Sequence, residues 1–151
     1  MQSSQFVTQS IEEAKDICPK LSSDRIKIKS TKSYFTGNFI ELVKQQRYSQ
    51  KLQKKLKNAS FQDICSIIER IEKELPLLVQ HKYANYFVKT LISVSNKDQR
   101  LSILRSLRNV FYDACLSPYG IHPIQELLSL SIAEDEEALI RMLLKGKLVK
   151  L

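Results

Sequence analysis

Few side chains in this 151-residue chain are of types that support chemistry, and their spacing narrows the choice further. Cys18, Cys65 and Cys115 are odd in number, far apart and without CxxC spacing, so neither a disulfide framework nor a thiolate metal site is expected. His81 and His122 fall in no metal-ligand pattern, and His122 with Asp113 is only a thin catalytic constellation. There is no Ser/His/Asp set, no carboxylate pair and no glycine-rich phosphate loop. The chain is expected to be no enzyme and to need no metal or cofactor.

Charge is the stronger chemical signal. The formal net charge is +8, yet residues 34–57 hold Lys44, Arg47, Lys51, Lys54, Lys55 and Lys57 against the single acid Glu41, an excess of +5 in 24 residues. A local field of this kind attracts polyanions or anionic membrane and speeds their encounter. It is equally the pattern of a solvated helix face.

These residues must be carried by helices. Three Gly, four Pro and no Trp, beside many Leu, Ile, Lys and Glu, favour helices joined by short turns. Comparing the sequence with itself at an offset of 36 residues exposes the organisation. Tyr48 to Leu56 falls on Ala84 to Ile92, which falls on Gly120 to Leu128 without a gap. Further on, Ile67, Ile68 and Ile71 align with Ile103, Leu104 and Leu107, and these with Leu139, Ile140 and Leu143, at helical spacings. Each unit reads as a short helix, a polar turn, a longer amphipathic helix and a short third element. Asn58-Ala-Ser, Ser95-Asn-Lys-Asp and Ser131 offer N-caps, and Pro76 and Pro118 mark helix ends or beginnings. One such unit cannot bury its apolar face alone, so the units must stack into a curved solenoid with a continuous core. That core should include Leu52, Leu56, Ile67, Ile71, Leu91, Leu104, Leu107, Leu127 and Leu143, with Cys115 as a small core residue. Leu143, Leu144, Leu148 and Leu151 should be exposed at the carboxy-terminal end unless another repeat or a partner covers them.

The runs Tyr83-Ala-Asn-Tyr-Phe-Val-Lys-Thr-Leu and Tyr119-Gly-Ile-His-Pro-Ile-Gln-Glu-Leu-Leu, with Ser49 to Gln53 as a further copy, resemble the second-helix signature of Pumilio (PUF) repeats. Gly37 to Tyr48 is similar to the family's entry into its first full repeat. The resemblance spans about residues 37–151, and Lys89, Ile121 and Tyr48 depart from the usual residue types. It implies an all-α, right-handed solenoid of about three repeats, approximately 38–73, 74–109 and 110–145, followed by the start of another. Residues 1–33 lack the register and are expected to form a poorly ordered tail.

The resemblance also implies a function, which is sequence-selective binding of single-stranded RNA at one base per repeat. By correspondence, Ser49 with Gln53, Asn85 with Lys89, and Ile121 with Gln125 would meet base edges, while Gln50, Tyr86 and His122 would stack on bases. Ser49 with Gln53 would favour adenine. At 100° per residue these first, second and fifth window positions lie at roughly 0°, 100° and 40°, on one side of the helix. Lys51, Lys54 and Lys55 are candidate phosphate contacts. The implied role is binding messenger RNA in 3′ untranslated regions, repressing translation or promoting decay with protein co-repressors. The amino terminus lacks the pattern of a signal peptide and no apolar run approaches membrane-span length, so a cytoplasmic or nuclear location is expected. The alternative class is a protein-binding solenoid of HEAT or armadillo type, because the same stacking serves any concave surface.

Overall fold

The computed structural model of the protein describes residue 35, residues 37–130 and residues 133–148, with side chains through residue 145. The expectation for residues 1–33 therefore lies outside the described residues, as do those for Ser131, Leu148 and Leu151. Nine helices and no strand occur among the described residues. They are α1 (Phe39–Val43), α2 (Gln46–Leu56), α3 (Phe61–Ile71), α4 (Leu75–Leu78), α5 (Ala84–Val94), α6 (Lys97–Leu107), α7 (Phe111–Leu116), α8 (Ile121–Leu130) and α9 (Glu134–Leu148).

Two rows result. The front row is α2, α5 and α8, packed side by side, and the back row is α3, α6 and α9, with α4 and α7 linking one unit to the next. Local chemistry starts the back-row helices at matching places. Ser60 caps α3 and Asn96 caps α6, each in a reciprocal box with the residue three positions on: Asp63 N donates to Ser60 Oγ at 3.1 Å and Gln99 N to Asn96 Oδ1 at 2.9 Å. The front row uses another device at matching positions. His81 Nδ1 accepts from the amides of Tyr83 and Ala84 at 3.1 and 3.2 Å, and Ser117 Oγ accepts from those of Tyr119 and Gly120 at 3.3 and 3.1 Å. Pro123 is accommodated because it sits in the first turn of α8, where no intrahelical amide bond is lost.

The interior runs unbroken through the stack. Leu52, Leu56, Ile67, Ile71, Leu91, Leu104, Leu107 and Leu127 are buried as expected. Leu143 is a correction, because it is only half-buried against the core, and Leu144 is half-buried where full exposure was expected. Both lie on α9, which has no following back-row helix among the described residues to cover it. Cys115 is half-buried against the core, and that burial pushes its thiol pKa up.

Polar contacts join the back row from unit to unit. Gln99 Nε2 donates to Phe61 O and Cys65 Sγ, both at 3.2 Å. Arg100 donates through Nε and Nη2 to the two carboxylate oxygens of Glu136 at 2.7 and 3.2 Å, and through Nη1 to Ser95 O at 3.1 Å. At the amino-terminal side Arg70 donates to the carbonyls of Phe35 and Gly37 at 3.0 and 2.8 Å and stands 5.2 Å over the Phe39 ring. It thereby holds the chain where Gly37, at φ 66°, turns into α1. Between α7 and α8 the backbones approach so closely that a Cβ on Gly120 would meet Ala114 O at 2.7 Å.

Candidate nucleic-acid interface

The front row decides which side chains face outward, and the 36-residue register makes its three helices directly comparable. One flank of each helix differs in chemistry between the units. Its positions carry Lys51 and Lys55 on α2, Phe87 and Leu91 on α5, and Pro123 and Leu127 on α8. The α5 and α8 residues are buried, whereas Lys51 is exposed and Lys55 half-buried. The other flank carries Ser49 and Leu56, then Asn85 and Ile92, then Ile121 and Leu128, and on α2 it meets the turn before α5, where Ser49 Oγ reaches Tyr83 O.

Of the anticipated base-edge positions, the first is buried in the first two windows and half-buried in the third. Ser49 is 1% exposed and Asn85 0%, while Ile121 is half-buried. Ser49 Oγ donates to Tyr83 O at 3.0 Å and accepts from Gln53 Nε2 at 3.1 Å. Asn85 donates both amide protons to its own entry turn, to His81 O at 2.7 Å and Lys82 O at 2.8 Å. Its Oδ1 is buried without a partner. The fifth positions point outward, with Gln53 half-buried and Lys89 and Gln125 exposed.

The anticipated stacking positions also reach the surface. Gln50 and Tyr86 are exposed and His122 is half-buried. The rings of Tyr86 and His122 already lie against each other, with centroids 5.9 Å apart and planes 19° from parallel. A base slid between two rings needs about 7 Å, twice the ~3.4 Å stacking rise of a nucleic-acid strand. Tyr86 also lines a groove of about 420 Å³ together with Gln46, Ser49, Gln50, Gln53, Lys82, Tyr83 and Tyr119.

Four of these lining residues were not anticipated as site residues. Tyr83 and Tyr119 had shown themselves as register-matched aromatics ahead of the windows, a usable signal. Gln46 and Lys82 fall outside the windows and carried none. Lys82 rises over the Tyr83 ring, its Nζ 5.4 Å from the centroid, and so brings a cation to the rim. Lys51 stands over Tyr48 at 5.6 Å. On a helical wheel Lys51 and Lys55 point roughly 150° and 170° away from the groove-lining side of α2, and Lys54 roughly 90° away. Below the groove, burial and the nearby Lys44 hold the His81 imidazole below its ordinary pKa, opposed by Glu41. This suits a ring whose unprotonated Nδ1 accepts two amide bonds.

Among the described residues no group of three or more His, Cys, Asp or Glu side chains could hold a metal ion, and no helix is long and apolar enough to cross a membrane. The arrangement offers flat rings, amide edges and a cation along one open groove. It suits a planar, polar, anionic polymer.

No protein-family model matches the chain. Two curated relatives from Arabidopsis thaliana do. Pumilio homolog 11 is 24% identical over 127 residues, covering 82% of this chain and 23% of the relative. Pumilio homolog 12 is 26% identical over 118 residues, covering 76% and 20%. Among solved structures, the Puf3 RNA binding domain bound to the Cox17 RNA 3′ UTR recognition sequence site A superposes with a TM-score of 0.68 at 20% identity, covering 87% of this chain and 38% of that one. The same domain bound to site B gives 0.67 at 18% identity, covering 89% and 37%. The chain thus has the Puf solenoid fold and spans about a fifth of the length of the curated relatives it matches.

Proposed function

We propose that the chain binds single-stranded RNA along its front row, with one base stacked on the groove-facing side of Tyr86. The observation that carries this reading is the groove itself, where an exposed tyrosine, the amides of Gln50 and Gln53 and the Lys82 ammonium converge. Single strands expose both base faces and base edges, which these groups recognise, whereas a duplex hides the faces. The solved structures that share the fold were determined with RNA bound, and the curated relatives are Pumilio homologs. Along with that reading come binding of messenger RNA in 3′ untranslated regions, control of translation or decay with protein co-repressors, and a cytoplasmic site of action.

Three repeats supply few stacked bases, and each is worth about 1 to 3 kcal/mol before the cost of ordering the strand, so micromolar affinity is expected. The test is fluorescence anisotropy with labelled RNA, as single strands of defined sequence and as the matching duplex. Single strands should bind more tightly than the duplex, and Tyr86→Ala should weaken them by roughly 5- to 150-fold, the equivalent of one lost stack. Equal affinity for duplex and single strand, with no effect of Tyr86→Ala, would leave a protein-binding solenoid as the better reading.

A further inference from the structure

Resting on the RNA-binding reading, we infer that His81 is a positioning residue for the groove: its ring, bare of a proton at Nδ1, fastens the turn that presents Lys82 and Tyr83 to RNA, and protonation of that nitrogen releases the turn. His81 does not line the groove, but the two residues that follow it do. Backbone amides can only donate, so the Nδ1 that lies 3.1 Å from Tyr83 N and 3.2 Å from Ala84 N is the acceptor, and the ring proton sits on Nε2. A proton on Nδ1 would set three donors against one another and end both bonds. The carbonyls of the turn are held as well. Asn85 Nδ2 donates to His81 O and Lys82 O at 2.7 and 2.8 Å, and Ser49 Oγ donates to Tyr83 O at 3.0 Å. Neither an amide nor a hydroxyl titrates near neutrality, so the imidazole is where pH enters the turn.

The device belongs to one repeat. At the matching position of the preceding unit Gln45 makes no side-chain cap bond, and in the following unit Ser117 accepts from the amides of Tyr119 and Gly120 with a hydroxyl that takes no proton in this range. The charged groups that face the ring are Lys44 and Glu41, ion-paired with each other at 2.9 Å, with Lys82 beside it in the turn and the Tyr83 ring 6.2 Å away. Burial and Lys44 together outweigh Glu41 and favour the neutral ring. A proton there has two opposed effects on RNA. Added positive charge below the groove attracts the anion, whereas a released turn withdraws a cation and an aromatic ring from it. Salt screens the first effect over about 10 Å at about 0.1 M and leaves the second untouched, so release wins. The sign of the pH dependence therefore separates position from charge.

The test is RNA affinity against pH, on the full chain carrying His122→Gln so that His81 is the one histidine left. Anisotropy is read with a single-stranded RNA bearing a pH-insensitive dye, from about one pH unit above the ordinary histidine value of about 6.5 to about one below it. Affinity should fall by about three- to tenfold as pH drops, the scale of one lost cap. His81→Asn, whose amide oxygen can accept from the same two amides without titrating, should keep the neutral-pH affinity and flatten the profile. His81→Ala should bind at neutral pH as weakly as the parent does in acid. Affinity that holds or rises as pH falls, or a decline that His81→Asn leaves unchanged, overturns the inference and leaves the RNA-binding reading standing. An RNA-free readout stands beside these: the NMR signals of the Tyr83 and Ala84 amides should move with the same midpoint as the His81 ring. Amides that stay in place while the ring titrates overturn the inference whatever RNA does. Failure of the unsubstituted chain to bind any single strand at neutral pH, with those amides titrating as expected, overturns the functional reading instead and leaves the link between His81 and the turn standing.

Discussion

The two ends of the front row are built in opposite ways. On α2 one flank carries Lys51 and Lys55, where α5 has the buried Phe87 and Leu91. On α8 the other flank carries Leu128, 48% exposed, where Leu56 and Ile92 are fully buried. Among the described residues, one of these flanks carries lysines where the other carries leucine. Burial at a given position of a solenoid is thus set by whether a neighbour stands beside it, since each unit touches only the next. The back row differs in parallel. Arg70 grips backbone carbonyls at one side, while at the other Arg100 holds the fully buried carboxylate of Glu136.

The largest effect that can break this comparison lies at Glu136. Its removal by Glu136→Ala leaves Arg100, 14% exposed, without its counter-charge, and should cost about 3 to 5 kcal/mol in urea denaturation. Replacing both partners by leucine should recover most of that loss. The neighbouring pair Lys97–Asp135, 3.0 Å apart on the surface, raises the pKa of the lysine and lowers that of the aspartate, yet removing it should leave the denaturation midpoint unchanged. A mild Glu136→Ala variant would mean that the back row is not locked through this pair.

A graded series at one register position sharpens the front-row half. Leu56→Ala and Ile92→Ala should each cost about 2 to 5 kcal/mol through the cavity they leave, whereas Leu128→Ala should cost about 1 kcal/mol or less. Equal losses at all three would show that the α8 flank is covered in solution.

The smallest effect concerns the cap beneath the groove. The folded His81 pKa is lowered, so between the two values the unfolded chain binds more protons than the folded one. Its contribution is therefore fully present above the unfolded value of about 6.5 and is lost as pH falls through the folded one. Thermal melts between neutral and mildly acidic pH should show this decline. The variant His81→Asn, whose amide oxygen caps without titrating, should flatten it; an identical pH profile in that variant would assign the decline to other groups.

Much of this was readable from residue order. The 36-residue register, the capping residues Ser60 and Asn96, eight of the nine expected core residues and the exposed Tyr86 all follow from local patterns. Each depends on helical spacing or on neighbours within three residues. Two further features were missed for the same reason. His81 falls in no metal-ligand pattern and nothing in its local sequence announces a cap, and Lys82 joins the groove because the turn before α5 lies beside α2.

What the sequence by itself determined, then, is the set of helices, their period and the type of side chain at every window position. Helical angles place Ser49, Gln50 and Gln53 on one side of α2, and arithmetic cannot divide that side further. Tertiary packing made the division. With α5 against α2, Ser49 is buried and donates to Tyr83 O at the edge of the groove that it lines, while Gln50 and Gln53 stay more exposed there. The same packing brought the carboxylate of Glu136 to Arg100 across 36 residues of chain. Helix formation is decided within a few residues, but the solvent exposure of a helix flank, and with it the donors and acceptors left for a ligand, depends on the helix packed beside it.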